Sequence, residues 1–197
     1  MKYLSVLSAI VILGSAAMPS GGMTATEEGQ FAMKGRGQSP CSAYLEARAS
    51  QTQEYLRYGS WLTGYLTAYN QLKPDTMDIA PWQGVDLLAA FLANYCERNP
   101  DASFFAAVEA MTNALFPQRV RGKARFETID DGENKVRIYD AVVRRLQANL
   151  AERGLYDGTV DGDFGPNTRR AIEEFQKDAD ILATGLPDQR TLYALFR

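Results

Sequence analysis

The 197-residue chain contains no histidine. That removes the Ser-His-Asp and Cys-His arrangements, in which an imidazole takes the proton of the attacking group. It also removes His-ligated zinc. Carboxylates, hydroxyls, amides and guanidinium groups remain. Glu173 and Glu174 are adjacent, so on a helix they project in different directions, whereas glycosidic cleavage needs two carboxyls converging on one bond about 5–9.5 Å apart. Asp157, Asp161 and Asp163 crowd one short segment. Their spacing does not follow the calcium-loop pattern, and no glutamate stands at the twelfth position counted from Asp157. The expectation is no catalytic residue, no metal and no cofactor.

The elements that must position such side chains are read from apolar spacing. Tyr55, Tyr58, Leu62, Tyr65, Tyr69 and Leu72 recur at steps of three and four, one stripe of a helix over about 51–71. Lys73-Pro74 ends it, because the residue before a proline resists the α region. The stripe is open to two readings, helix core and binding surface. A second helix over about 85–97 carries Val85, Leu88, Phe91, Leu92 and Tyr95. Asn99 reads as the N-cap and Pro100 as the first residue of a third helix, which buries Phe104, Val108, Met111 and Leu115 and stops at Phe116-Pro117. Cys41 to Arg48 reads as a short leading helix.

Residues 118–139 change character. A basic run, Arg119, Arg121, Lys123 and Arg125, gives way to Phe126, Thr128 and, beyond Asp131-Gly132, to Val136 and Ile138 alternating with polar residues. A β-hairpin and a plain linker both fit. A helix over about 139–153 then buries Val143, Leu146 and Leu150, with Gly154 at its C′ position. The loop Tyr156-Asp157-Gly158-Thr159-Val160-Asp161-Gly162-Asp163-Phe164-Gly165 follows. Gly158, Gly162 and Gly165 permit turn conformations with positive φ, and Asp161 reads as a cap on loop amides. Pro166 opens a helix with Ala171, Ile172 and Phe175, and beyond Gly185 a last helix carries Leu192 and Leu195.

Leu146-Gln147, Gly154, Val160-Asp161-Gly162, Phe164-Gly165, Thr168, Ala171-Ile172, Phe175-Gln176, Thr184-Gly185 and Thr191-Leu192 are spaced so that residues 140–197 resemble the peptidoglycan-binding domain type 1 family. One departure is Ala179-Asp180-Ile181, where the family usually shows a glycine and a leucine. The resemblance implies a three-helix module that docks on peptidoglycan. Such a ligand offers hydroxyls, amides and carboxylates, and a binder needs hydrogen-bonding side chains beside a shallow apolar surface. Tyr156, Asp161, Asp163, Arg169, Gln176 and Thr184 are the candidates by type and by nearness to the loops.

Residues 41–117 carry a second resemblance, through Cys41, Tyr44-Leu45, Trp61 to Tyr65, Tyr95-Cys96 and Asn99-Pro100. This region is similar to HdeA-like and Rap1a/Tai-like periplasmic helical domains. It implies a protein-interaction role, as a stress chaperone or an immunity protein, and a periplasmic protein partner.

Lys2, the apolar run from Tyr3 to Leu13 and the small residues Gly14 to Ala17 read as a secretion signal, too short to span a bilayer. Cleavage after Ala17 and after Ala25 both fit, so 1–25 is assigned to signal and cleavage region and 26–40 to a flexible segment. Contact with a membrane is expected only through the signal before cleavage. In an exported chain the only two cysteines, Cys41 and Cys96, favour a disulfide over two buried thiols. The net charge is −3, with 21 basic residues scattered among 24 acidic ones, so no nucleic-acid partner is expected. The expected architecture is all-α: a small disulfide-stapled helical domain at 41–117, a linker or β-hairpin at 118–139, and the three-helix domain at 140–197. The expected location is the periplasm.

Overall fold

The computed structural model describes Thr26 and residues 30–197. The expected signal and cleavage region, 1–25, lies outside the described residues. Near the start, the Gln30 amide donates to Thr26 Oγ1 at 3.0 Å.

From Lys34 to Arg197 the chain forms one unit with two apolar cores. The first is built by α1 (Cys41–Ser50), α2 (Gln53–Leu72), α3 (Val85–Arg98) and α4 (Phe104–Leu115). Tyr44, Tyr58, Leu62, Leu92, Phe104 and Val108 are buried together there. Rings of Tyr44, Tyr58 and Phe104 meet at centroid distances of 4.8–5.2 Å, edge-on or tilted, as aromatic quadrupoles prefer. Of the aromatic stripe on α2, Tyr58 and Leu62 are fully buried and Tyr55, Tyr65 and Tyr69 pack partly buried against the core. The core reading therefore holds for the stripe, except at its end, where Leu72 is exposed.

Cys41 and Cys96 form the disulfide, which ties the start of α1 to the end of α3. The free amides that open α1 are satisfied by the corner at 99–103: Cys41 N–H donates to Ala102 O and Ser42 N–H to Pro100 O. Asn99 does not cap α4. It ends α3, donating its side-chain amide to Tyr95 O at 2.9 Å, and Ser103 caps α4 by accepting from the Ala106 amide. The chain needs four further residues to turn the corner, so the cap falls to the later hydroxyl. Residues 34–40, within the segment expected to be flexible, are hydrogen-bonded to α2 and α4 of the first core. Gly35–Gln38 form a 3-10 turn, Trp61 Nε1–H donates to Lys34 O, and Phe104 N–H donates to Ser39 O.

The expected all-α class holds in the main; within 118–139 the β-hairpin alternative is the one that forms, a small two-stranded antiparallel sheet. β1 (Phe126–Asp130) pairs with β2 (Lys135–Tyr139), Thr128 opposite Arg137. The hairpin forms because Ile129, Ile138 and Tyr139 are buried in the second core, together with Val120. That core is otherwise made by α5 (Asp140–Glu152), α6 (Pro166–Asp178) and α7 (Gln189–Leu195), which contribute Val143, Leu146, Leu150, Ile172, Leu192 and Leu195. The segment before the hairpin is likewise not free. Asp78 and Val120 form a backbone bridge, Tyr139 Oη–H donates to Asp78 Oδ2 at 3.2 Å, and Arg119 pairs with Asp75 at 3.2 Å. The two cores also meet at Gly84, whose amide donates to Gln189 Oε1, and at the Phe91 and Tyr193 rings, 6.0 Å apart.

Candidate functional site

Two buried glutamines organise the C-terminal loops. Gln147, on α5, is fully buried. Its Nε2 donors reach Tyr156 Oη (3.2 Å), Asp161 Oδ1 (3.1 Å), Asp163 O (3.0 Å) and Thr168 Oγ1 (3.3 Å), while its Oε1 accepts from the Gly162 amide at 2.8 Å. Gln176, on α6, repeats the pattern on the second loop. Its Nε2 reaches Thr184 Oγ1, Leu186 O and Thr191 Oγ1, and its Oε1 accepts from the Gly185 amide at 2.8 Å. A buried amide is tolerable only when its donors and acceptor are satisfied, and here each is spent on holding a loop against the helices.

The glycines at these two amides are the positions where the backbone demands the residue. Gly162 has φ +83° and Gly185 φ +67°. A Cβ at Gly162 would stand 2.7 Å from Asp140 O, and one at Gly185 would stand 2.6 Å from Arg169 Cγ. Gly158 and Gly165 do not use the positive φ that glycine permits. At Gly158 the Tyr156 hydroxyl lies so close that a Cβ would meet it at 2.6 Å, and Gly165 is the extended N-cap of α6.

Asp161 takes the expected role. Its carboxylate accepts from the Asp163 amide at 2.9 Å as well as from Gln147, and these bonds, the backbone one foremost, hold it below the usual carboxylate range. Tyr156 is half-buried and donates to Thr159 O at 2.8 Å. Thr184 accepts from the Leu186 amide at 3.1 Å. Gln176 is buried with its amide satisfied inside the domain, so it supports the second loop instead of offering a polar group at the surface. Tyr156, Asp161, Asp163 and Arg169 gather around the first loop; Thr184 and Gln176 belong to the second.

The hairpin completes the first-loop surface, and the sequence reading missed this contribution. Glu127 Oε2 accepts from the Phe164 amide at 3.2 Å. Arg125 bridges Asp140 and Asp163, at 3.4 and 3.1 Å. Arg169 Nη2 donates to Asp130 O at 3.2 Å, with its guanidinium 5.4 Å from the Phe164 ring centre. Between hairpin and loop lies a shallow groove of about 500 Å³, lined by Glu127 to Asp130, Asp163, Phe164 and Arg169. It combines a half-buried aromatic ring, a guanidinium and several acceptors, the mixture that recognises a polar ligand with apolar faces. A signal for the glutamine pair was present: each stands directly after a core residue, as Leu146-Gln147 and Phe175-Gln176, with a glycine and then a threonine downstream.

Residues 140–195 match the family model described as "Putative peptidoglycan binding domain". The chain is also similar to "N-acetylmuramoyl-L-alanine amidase CwlM" of Mycobacterium tuberculosis, 37% identical over 59 residues, 30% of this chain and 14% of that protein. It is also similar to "Putative OxPP cycle protein OpcA" of Synechococcus elongatus, 46% identical over 50 residues, 25% of this chain and 11% of that protein. The chain thus spans only a small fraction of either relative. Among solved structures, SltB3 of Pseudomonas aeruginosa in complex with NAG-anhNAM-pentapeptide aligns at 26% identity, covering 54% of this chain and 27% of that one. Its TM-score of 0.30 is too low to inform the fold. The C-terminal region is therefore a domain of the peptidoglycan-binding family, which supports association with peptidoglycan. Domain and disulfide together fit an exported or cell-envelope protein. Among the described residues, no helix is long and apolar enough to cross a membrane.

Proposed function

We propose that this is a non-catalytic periplasmic protein that docks on peptidoglycan through its C-terminal domain and so holds the disulfide-stapled helical core at the cell wall. The observation that carries the reading is the family match at 140–195. The loops of that domain are fully braced, by Gln147 and by Gln176, as a preformed binding surface requires. The non-catalytic part draws on composition: without histidine, the common routes to activating a nucleophile or a zinc-bound water are unavailable. Retention of the full-length mature protein on purified sacculi, with the muropeptide profile unchanged after incubation, is the expected result. Newly released muropeptides would overturn the non-catalytic part, and absence of retention would overturn the docking.

A second reading is a protein-interaction module, inhibitor, immunity protein or stress chaperone, acting through the helical core. Its support is a groove of about 480 Å³ between α2 and α3, with Tyr55 and Tyr58 in its lining and the exposed apolar side chains Leu56 and Val85 at its edge. Capture of one specific periplasmic protein by the wild type, lost on Leu56→Asp, would favour it.

A further inference from the structure

The hairpin has a free edge, and the hydrogen bonds at its two ends show which residues present it. Asp140 N–H donates to Arg125 O at 2.9 Å and Asp131 N–H to Asn134 O at 3.2 Å. Residue pairs in an antiparallel ladder alternate between bonded and non-bonded. In the observed register, the bonded pairs are then Glu127 with Ile138 and Ile129 with Val136. The amide and carbonyl of Phe126, Thr128 and Asp130 therefore point away from β2. The Asp130 carbonyl confirms the direction, because it accepts from Arg169 across the groove. Thr128 is exposed and lies in the middle of the groove wall.

A strand edge of this kind is a template for an extended peptide. The five residues of β1 span about 17 Å, the length of a short peptide and not of a folded partner. The charges around it select the occupant. Asp130 is paired with Lys135 at 2.9 Å and Asp163 with Arg125 at 3.1 Å, and Glu127 accepts from the Phe164 amide. Among the described residues Arg169 forms no ion pair within 4 Å; its bond is to a backbone carbonyl, and its guanidinium carbon lies 5.4 Å from the Phe164 ring centre. The groove thus offers one guanidinium that no carboxylate contacts within 4 Å, with Asp131 in its electrostatic reach, beside rim carboxylates that are already engaged.

We propose that the free edge of β1 binds the peptide stem of peptidoglycan in extended form. The stem pairs its backbone with the Thr128 amide and carbonyl and sets a carboxylate on Arg169. This rests on the peptidoglycan-docking reading and adds to it a ligand part and a strand outside the matched family segment.

The test uses the full-length mature protein with three probes: a synthetic stem tetrapeptide containing a diamino acid, peptide-free glycan strands, and intact sacculi. With wild-type protein, the tetrapeptide slows hydrogen exchange at the Thr128 amide, and glycan strands do not. Thr128→Pro removes an amide that β2 does not use, and proline is tolerated at such edge positions. It weakens tetrapeptide binding about tenfold, as expected for losing one well-made hydrogen bond and the close approach of the strand. Thr128→Val, which keeps the amide, binds as wild type. Sacculus retention with no change at the Thr128 amide on tetrapeptide addition overturns this inference alone. So does equal protection by glycan strands, or protection that appears only with protein concentration through edge pairing of two copies. Loss of sacculus retention by the wild type overturns the docking reading and this inference with it. The exchange measurement on wild-type protein stands even where Thr128→Pro fails to fold.

Discussion

Gln147 and Gln176 show how much a single buried amide can organise. Each closes a loop by accepting from a positive-φ glycine amide, Gly162 or Gly185, and donating to a threonine hydroxyl on the next helix, Thr168 or Thr191. Gln147→Leu keeps the volume but leaves the Gly162 amide buried without a partner. It should lower stability by about 2–4 kcal/mol, the cost of orphaning buried polar groups, read from chemical denaturation; a loss under about 0.5 kcal/mol would show the network to be dispensable. Asp180 illustrates the opposite case. It occupies the left-handed position after α6 with φ +53°, and the Ile181 amide donates to Gln176 O at 2.7 Å, the Schellman ending that Gly154 supplies after α5. The unusual Ala179-Asp180-Ile181 segment therefore preserves the helix ending at a conformational cost. Asp180→Gly should raise stability by about 0.5–1 kcal/mol, and a fall in melting temperature would contradict that account. At this scale the sequence marked the glycine-aspartate loop well, including Asp161 as its cap. It did not distinguish Gln176 from surface polar residues, because side-chain type carries no record of which way an amide faces.

Among the elements, the helices were legible because their apolar spacing is long and regular. α2, α3 and α5 begin and end within a few residues of the spans their stripes imply. The hairpin was only half legible. Phe126, Thr128, Val136 and Ile138 alternate as a strand pair should, but five residues per strand are too few for periodicity to exclude a linker. Burial of Ile129 and Ile138 in the second core decided it, and that contact is tertiary. The groove was illegible for the same reason, since its two walls come from β1 and from the loop before α6. The disulfide is the one long-range contact that two cysteines announced directly. It closes a separation of 55 residues, so replacing Cys41 and Cys96 by serine should cost about 2–4 kcal/mol and lower the melting temperature in proportion. An unchanged melting temperature would remove the staple from the account.

For the whole molecule, a division into a helical domain, a connection and a peptidoglycan-binding domain is only part of the picture. The two cores are distinct, yet Asp78, Val120 and Tyr139 tie them together through a backbone bridge and a phenol–carboxylate hydrogen bond. Burial, then the neighbouring Asp78 charge, pushes the Tyr139 phenol up to about 12. A group whose folded pKa is raised contributes stability that is complete below its unfolded pKa near 10 and is lost as pH rises through the folded value. An alkaline loss of structure is thus expected between about pH 10 and 12, and Tyr139→Phe should reduce its Tyr139-dependent part; a variant with the wild-type alkaline profile would show that this phenol is not a linkage point. Because the hairpin belongs to the second core, is tied to Asp78 through Tyr139 and also walls the groove, the helical core and the groove are held on one framework. The central claim, that this framework docks on the cell wall, is tested most directly by co-sedimenting the protein with purified sacculi over a range of concentrations. Saturable retention that soluble muropeptides compete away is the predicted result, and retention no greater than that of a control protein of equal charge would contradict it.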